Sequence, residues 1–266
     1  MSAKGNKKIA TSVAFDKTWE KYWKQAGKTT YELPVDVNES AFDEREFLLG
    51  ARTLENEIER LKRITTEFEN GFNKLFGIGP AVTVFGSARY REGHPYYELT
   101  RKVGRKLAEA GFTVLTGGGP GLMEAANRGA FEAGGKSYGL NIILPHEQSA
   151  NPYVNDSIEF RYFFIRKVML VKYSCAFIIM PGGLGTLDEM YEAATLIQCK
   201  KIGPFPVILM DRKFWKNVID MTRYQVNAGA VGLEEIGFAR RVNTPSEAVK
   251  TILKCTTVEI RQKLNK

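Results

Sequence analysis

Short apolar runs alternate with amphipathic stretches from Ala81 to Lys254, and this alternation limits the folds that the chain can adopt. The apolar runs have the length of buried strands, and the segments between them have the length and periodicity of helices. Strands and helices in alternation form a parallel sheet that helices cover on both faces. The sequence therefore predicts an α/β fold: a Rossmann-like, doubly wound, mostly parallel sheet with helices on both faces.

Six or so strands, most of them followed by a helix, are predicted for this part of the chain. The strands span residues 81–85, 112–115, 138–144, 158–162, 176–180 and 206–210, with a short one near 240–242. The helices span residues 95–110, 121–133, 164–173, 186–198, 214–227 and 246–254. Ligands of such sheets bind beyond the carboxyl ends of the strands, near the switch in strand order. The residues that follow each strand are therefore the candidate site.

The chain before Ala81 lacks strands and shows helical periodicity instead. Apolar residues recur mostly three and four positions apart between residues 43 and 76: Leu54, Ile58, Leu61, Ile64, Phe72 and Leu75, with Phe68 less regular. This pattern predicts an amphipathic helix, but it does not show whether the helix packs on its own domain or at a subunit interface. Residues 16–25 are compatible with a further short helix.

Gly77, Gly79 and Pro80 end the helical unit, since glycine and proline interrupt regular structure. Residues 1–79 are accordingly predicted to form an N-terminal helical extension with a disordered start, and residues 80–266 the Rossmann-like domain.

Glycine-rich segments follow three of the predicted strands, at residues 86–89, 116–124 and 181–186. Parallel strands bring all three to one edge of the sheet. Glycine lets the backbone approach a phosphate closely, and a helix N-terminus offers it free N–H groups. Three such loops favour a phosphorylated ligand, although glycine needed only for packing would explain Gly86 by itself.

The spacing of these glycines is not that of the common nucleotide motifs. Leu122 stands where the dinucleotide fingerprint has its third glycine, and no Gly-Lys-Ser/Thr of a P-loop is present. The loops therefore indicate a mononucleotide more than NAD.

Charged residues adjoin two of the strand ends. Glu189 fits a capping box with Thr186, but it also lies beside the glycine turn. Spacing alone therefore does not decide whether Glu189 caps the helix or acts as a catalytic residue. Glu192 is predicted to face the same way. Arg166 and Lys167 follow the fourth strand at a helix start, where a cation is disfavoured by the helix dipole and calls for an anionic partner.

Composition limits the kinds of binding partner that the sequence predicts. The formal charge of +8 is compatible with binding to nucleic acid. However, part of the excess of basic residues lies at the chain ends and no long run of like charge occurs, so a nucleic-acid partner is not predicted. Three scattered cysteines indicate a reducing compartment. His94 and His146 lie far apart, which argues against a metal site. Without an apolar stretch of membrane length or a signal peptide, a cytoplasmic protein that does not bind membranes is expected.

These motifs together resemble the LOG ("Lonely Guy") family. Residues 181–189 read PGGxGTxxE, residues 117–123 read GGGPGLM, one residue shorter than the family's GGGxxGLM, and an Arg-Lys pair precedes the first motif. The family comprises cytokinin riboside 5′-monophosphate phosphoribohydrolases, also described as lysine decarboxylases. The resemblance covers roughly residues 81–255 and implies that residues 80–266 form a nucleotide-binding catalytic domain.

The resemblance implies roles for individual residues. Arg166 and Glu189 are expected to be catalytic, with Glu189 stabilising an oxocarbenium-like ribose and the charge of Arg166 keeping Glu189 ionised. The family's phosphate-binding glycine loops fall on Gly118, Gly119, Gly182, Gly183, Gly185 and Thr186. Residues at the same sheet edge that complete the predicted substrate site are Gly86, Ser87, Lys167 and Glu192. No cofactor or metal is predicted.

One departure from the plant pattern bears on substrate and assembly. Phe163 and Phe164 stand where plant-type members have Met-His. In these two phenylalanines and in its long N-terminal extension, the chain is similar to the larger bacterial branch of the family. Members of that branch form higher oligomers than the plant dimers. The implied substrate is AMP or a prenylated cytokinin nucleotide, and the implied assembly is a homo-oligomer, from a dimer up to a hexamer.

Two other functions stay open. A non-catalytic carrier or sensor of a nucleotide-like cofactor, as in the related molybdenum-cofactor carrier proteins, would bind its ligand tightly without turnover. A nucleic-acid-binding role drawn from the net charge would show salt-dependent binding.

Overall fold

The computed structural model describes residues 20, 21, 53–144, 149–203 and 205–264. Within these ranges the core is a seven-stranded sheet in which every strand pair is parallel. Its strands are β1 (Ala81–Phe85), β2 (Thr113–Thr116), β3 (Ser137–Ile142), β4 (Asp156–Phe160), β5 (Ala176–Ile179), β6 (Val207–Met210) and β7 (Ala239–Val242). The strand order is β4-β3-β2-β1-β5-β6-β7. The order of winding reverses between β1 and β5, which places the switch point in the middle of the sheet.

Helices follow the strands as predicted. They are α1 (Leu54–Leu75), α2 (Pro95–Glu109), α3 (Leu122–Glu132), α4 (Phe163–Lys172), α5 (Leu184–Gln198), α6 (Lys216–Asn227), α7 (Pro245–Cys255) and α8 (Val258–Leu264). A 3₁₀-helix, Leu233–Phe238, precedes β7. No described helix is long and apolar enough to cross a membrane.

Apolar clusters on both faces of the sheet explain why the central strands are apolar throughout. Alternate residues of a strand point to opposite faces. In β1, Phe85 joins a cluster with residues of α4 and α5, whereas Val82 and Val84 join a cluster with residues of α2, α3 and α7. All five β1 residues are buried. This confirms the predicted doubly wound sheet. The sequence predicted a mostly parallel sheet, and every pair of strands in the described sheet is parallel.

From Ala81 onward, the predicted elements differ from the observed ones by at most two residues at each end, and β4 lies two residues before the predicted strand 158–162. Helix α5 begins at Leu184 and not at Thr186, because the backbone turns helical directly after Gly183. The 3₁₀-helix and α8 were not predicted. Neither has a strong apolar periodicity, and α8 buries no residue fully, although Ile260 and Leu264 pack against the core.

Helix α1 packs on the domain mainly by its C-terminal half, although the guanidinium of Arg60 lies 5.5 Å from the centre of the Tyr162 ring. Leu75 is buried, and the carboxylate of Glu67 accepts hydrogen bonds from the backbone N–H groups of Arg161 and Tyr162 at the start of α4, at 3.1–3.4 Å. Leu54 and Leu61, in the N-terminal half, are 76% and 61% exposed. The predicted division at residue 79 stays a prediction. The predicted helix at 16–25 lies outside the described residues except for residues 20 and 21, which are helical.

Candidate active site

The three glycine-rich loops meet at the carboxyl ends of the neighbouring strands β2, β1 and β5, as the parallel arrangement predicts. Ser87 links them through its backbone. Its N–H donates to the Pro181 carbonyl at 3.1 Å, and its carbonyl accepts from the Leu122 N–H at 3.0 Å. Gly86 has no room for a side chain, since a Cβ there would lie 2.9 Å from the Leu122 Cβ. The loops therefore form one connected rim around the switch point.

A cleft of about 690 Å³ opens within this rim. Its volume lies in the range of small-molecule sites, about 300–1,000 Å³. Of the residues predicted for the site, eight line the cleft: Gly86, Ser87, Arg166, Gly182, Gly183, Gly185, Thr186 and Glu189. Residues that the sequence had not assigned also line it, among them Tyr90, Gly117, Met123, Asn141, Ile142 and Leu184.

Another cavity of similar size, about 640 Å³, lies where β6 and β7 begin, at the opposite edge of the sheet. Its lining includes Lys200, Glu234 and Cys255. None of the glycine loops reaches it, and ligands of doubly wound sheets bind at the carboxyl edge. The cleft at the switch point is therefore the candidate site.

Gly118 and Gly119 are buried on the inner side of the second glycine-rich loop and do not line the cleft. Gly117 of the same loop lines it instead. The Gly118 N–H donates to Thr116 Oγ1 at 2.9 Å, so this donor is already used. The carbonyls of Gly118 and Gly119 accept from Asn151 Nδ2 at 3.0 and 3.2 Å. The backbone hydrogen bonds of these two glycines thus stabilise the buried side of the loop.

Asn127 and Asn151 support this loop, and sequence reasoning missed both. Asn127 Oδ1 accepts from Asn151 Nδ2 at 2.9 Å and from Thr116 Oγ1 at 2.6 Å, and Asn127 Nδ2 donates to Ser137 Oγ at 2.8 Å. Buried amides satisfied in this way hold a loop in one conformation. The residues are far apart in sequence, so no local pattern announces the network.

Lys167 and Glu192 also lie outside the cleft lining. Lys167 Nζ pairs with Asp188 Oδ2 and with Glu192 Oε2, each at 2.8 Å. These contacts fasten α4 to α5. They hold in register the two helices that carry Arg166 and Glu189.

Arg166 and Glu189 face each other at the cleft wall. Arg166 Nη2 lies 3.6 Å from Glu189 Oε1, and the two side chains are only 14% and 4% exposed. The guanidinium also lies 5.4 Å from the centre of the Phe163 ring. Its Nε is buried and has no hydrogen-bond partner. The anionic partner expected for Arg166 is thus Glu189, and the buried Nε donor is left without a partner.

The capping-box interpretation of Glu189 is wrong. The N-cap of α5 is Gly183, no side chain caps the helix, and the Thr186 N–H bonds to the Gly183 carbonyl at 3.1 Å. Glu189 therefore lies beyond the first turn, with its side chain turned to Arg166. The first turn holds no acidic residue, and the start of α5 faces the cleft without a capping group.

Burial dominates the electrostatics of the pair. It raises the pKa of Glu189 to about 7, although Arg166 and Lys167 act in the opposite direction. Burial also lowers the pKa of Arg166, against the effect of Glu189. Arg166 therefore favours the ionised form of Glu189, as expected, but burial outweighs this effect and the pKa is raised overall. Near neutral pH the carboxyl group exchanges readily between its charged and neutral forms.

Gly118→Ala is expected to destabilise the fold by about 2–4 kcal/mol, because it adds left-handed strain to a steric clash. Gly118 has φ of +70°, and a Cβ would lie 1.8 Å from Asn141 Oδ1. Urea unfolding measures the change. Gly185→Ala is the matched control, because no atom lies within 4 Å of its Cβ position and the residue is helical. Equal stability of the two variants would contradict the prediction.

The fold and site together define a Rossmann-like α/β protein with a cleft at its switch point. Residues 123–252 match the protein family described as "Possible lysine decarboxylase". A rice protein named cytokinin riboside 5′-monophosphate phosphoribohydrolase LOG is 31% identical over 116 residues, covering 42% of this chain and 47% of the rice protein. Proteins of the same enzyme name from Mycobacterium tuberculosis and Rhodococcoides fascians are 35% and 26% identical over 100 and 163 residues.

The matched segments cover 37% of this chain and 54% of the mycobacterial protein, and 57% of this chain and 78% of the Rhodococcoides protein. The chain thus spans about half the length of the first two relatives. These matches confirm the resemblance to the LOG family that the motifs predicted, with bacterial as well as plant relatives.

Solved structures agree on the fold. The structural-genomics target TM1055 superposes with a TM-score of 0.53 at 28% identity, covering 66% of this chain and 99% of that protein. The molybdenum cofactor binding protein from Rippkaea orientalis gives a TM-score of 0.50 at 23% identity, covering 67% of this chain and 98% of that protein. At that identity the second likeness concerns the fold alone.

Proposed function

We propose that this protein hydrolyses the N-glycosidic bond of a nucleoside 5′-monophosphate, AMP or a cytokinin riboside 5′-monophosphate, and releases the free base and ribose 5-phosphate. The observation that carries the proposal is the Arg166–Glu189 pair, buried in the same cleft as the glycine turns. A buried carboxyl with a pKa near 7 beside a phosphate-type turn suits the cleavage of a phosphorylated sugar.

The 5′-phosphate would bind at the start of α5. This helix has no capping side chain, and helix N-termini attract anions through their free N–H groups and dipole. Gly183 and Gly185 have open space where a side chain would stand, so the backbone is accessible. Gly182 is different, because a Cβ there would lie 2.1 Å from Thr186 Oγ1. A nucleoside without the phosphate would be a poor substrate.

Glu189 would then act on the sugar. The C1′–N9 bond breaks and its electron pair leaves with the base, while the oxygen of one water molecule forms a bond to C1′. The carboxylate stabilises the positive charge that develops on the ribose and takes a proton from the water. The base gains a proton from solvent. A pKa near the working pH suits a group that must accept and then release a proton.

Arg166 would hold the substrate beside this carboxylate. Its free Nε is a buried donor that a ribose or phosphate oxygen would satisfy. Its guanidinium also lowers the pKa of Glu189 and so increases the ionised fraction. The proposed catalytic residues are thus the two predicted from the family resemblance.

The names of the curated relatives support phosphoribohydrolysis, whereas the description as a lysine decarboxylase gains nothing from the site. A pyridoxal-phosphate enzyme needs a lysine for its Schiff base. Within the described part of the chain, the cleft lining contains no lysine, and Lys167 is engaged by Asp188 and Glu192. The proposed reaction uses no cofactor.

Incubation with AMP, isopentenyl-AMP and adenosine, followed by chromatography, tests the proposal. Free base and ribose 5-phosphate are expected from one or both nucleotides, with adenosine a much poorer substrate. Tight nucleotide binding without product would instead indicate the carrier or sensor alternative.

We further propose a cytoplasmic homo-oligomer, from a dimer up to a hexamer. Exposed apolar residues on α1 and α4 support the assembly of subunits: Leu54, Ile58, Leu61, Phe163 and Phe164. Analytical ultracentrifugation of the same preparation would test it, and a monomer at micromolar concentration would contradict it.

A further inference from the structure

Asn141 is a polar residue where an apolar one would be expected. It lies between the buried residues Leu140 and Ile142 near the end of β3, and it is only 3% exposed. Asparagine is disfavoured in strand interiors. Its presence there needs a reason, and a polar residue between two apolar ones is the signal by which the sequence could have marked it.

The side-chain oxygen of Asn141 has no hydrogen-bond partner in the structure. Buried polar atoms are nearly always paired. Asn141 Oδ1 lies against Gly118, so close that a Cβ at Gly118 would be 1.8 Å from it. The glycine therefore makes room for the amide group of Asn141. Among the described residues that line the cleft, only Asn141 and Arg166 carry a buried side-chain polar atom without a partner.

The strand order places Asn141 at the far end of the cleft from the phosphate turn. β3 and β5 are separated by β2 and β1, three inter-strand spacings or about 14 Å. Arg166 lies between them, because its Nη1 is 3.7 Å from a Cβ position on Gly117 at the end of β2. A nucleotide with its phosphate at α5 and its sugar at Glu189 would extend its base towards Asn141.

We propose that Asn141 is a specificity-determining residue that recognises the base and selects 6-aminopurines over 6-oxopurines. An asparagine amide has a donor and an acceptor side by side, and rotation of the amide interchanges them. It matches the exocyclic N–H and the N7 acceptor of adenine in a bidentate pair, whereas a 6-oxopurine presents two acceptors at that edge. An adenine with a prenyl group on N6 keeps one N–H, so the same pair remains available to it.

This proposal rests on the proposed function, since it assigns the base end of the same site. Its test compares kcat/KM for AMP, IMP and purine riboside 5′-monophosphate, which lacks the 6-amino group. The wild-type protein is expected to prefer AMP. Asn141→Leu, which has a similar shape and no polar atoms, is expected to lower kcat/KM for AMP by roughly ten- to a hundredfold. The other two nucleotides keep only the contact to N7, so their kcat/KM is expected to fall by a clearly smaller factor.

Ile142→Val is the matched control, because it alters the next residue of the cleft wall without touching a polar group, and it should leave the AMP-to-IMP ratio unchanged. If Asn141→Leu does not fold, Asn141→Asp keeps the shape and the acceptor but removes the donor to N7. It is expected to lower kcat/KM for AMP and to keep the preference for AMP over IMP, because the carboxylate still accepts from the 6-amino group and repels a 6-oxo oxygen. A parallel loss for all three nucleotides in Asn141→Leu, or a lost preference for AMP in Asn141→Asp, would overturn the proposal.

Calorimetry of AMP and IMP binding separates this proposal from the proposed function. If the wild-type protein cleaves no nucleotide but binds AMP more tightly than IMP, and Asn141→Leu removes that difference, base recognition holds while the proposed hydrolysis fails. If the wild-type protein binds the two nucleotides equally, the assignment of Asn141 is wrong whatever the activity.

Discussion

Glu189→Gln is expected to lower base release from AMP by about a thousandfold or more while the protein stays folded. The amide has the shape of the carboxyl group but can neither carry the charge that stabilises an oxocarbenium-like ribose nor take a proton from water. Losing a single electrostatic contact in an enzyme site costs about 10²–10³ in rate, and losing a general base costs about 10²–10⁴. Glu189 combines both roles in the proposed mechanism.

The fold should tolerate this change because Glu189, with a pKa of about 7, is already neutral for part of the time near neutral pH. Circular dichroism and thermal melting check this, and chromatography measures the released base. Glu132→Gln is the matched control. Glu132 also pairs with helical arginines, Arg101 of α2 at 2.6 Å and Arg128 of α3 at 2.9 Å, but it lies outside the cleft. If Glu189→Gln released base at the wild-type rate, the prediction would be contradicted and Glu189 would have a structural role only.

The parts of this site that sequence could predict follow from local patterns and one topological rule. The predicted strand 81–85 has the same bounds as β1. Five apolar or β-branched residues between a proline and a glycine are too short for a typical helix and favour a buried strand. Parallel strands then bring residues 86, 117 and 182 to one edge. The arginine at the start of a helix, which the dipole disfavours, correctly indicated an anionic partner at Arg166.

The parts that sequence could not predict depend on packing between distant segments. Thr186 is a common helix cap, yet α5 begins earlier because Gly183 adopts the N-cap geometry without a side chain. Lys167 pairs with Asp188 and Glu192 only because α4 packs beside α5. Gly118 is held by Asn151, 33 residues away. The raised pKa of Glu189 depends on its burial, which no spacing rule gives.

Arg166→Ala is expected to move the acid limb of the kcat/KM profile to higher pH, besides weakening substrate binding. Burial raises the pKa of Glu189 and Arg166 is the largest influence that lowers it. Without the guanidinium, the effect of burial is opposed only by Lys167, so the pKa rises above about 7. Because the ionised carboxylate is the proposed active form, activity increases with pH through this pKa. The limb should therefore shift upward by about one to two pH units.

The pH profile separates this electrostatic role from loss of substrate contact alone. A lost contact lowers kcat/KM by the same factor at every pH, whereas a raised pKa makes the loss smaller as the pH rises above 7. Arg166→Lys is the informative control, because it keeps a positive charge near Glu189 but lacks the planar, multiply donating guanidinium. It should retain an acid limb near pH 7 with a reduced plateau. An unshifted limb in Arg166→Ala would mean that Arg166 does not control the charge state of Glu189 and acts on the substrate alone.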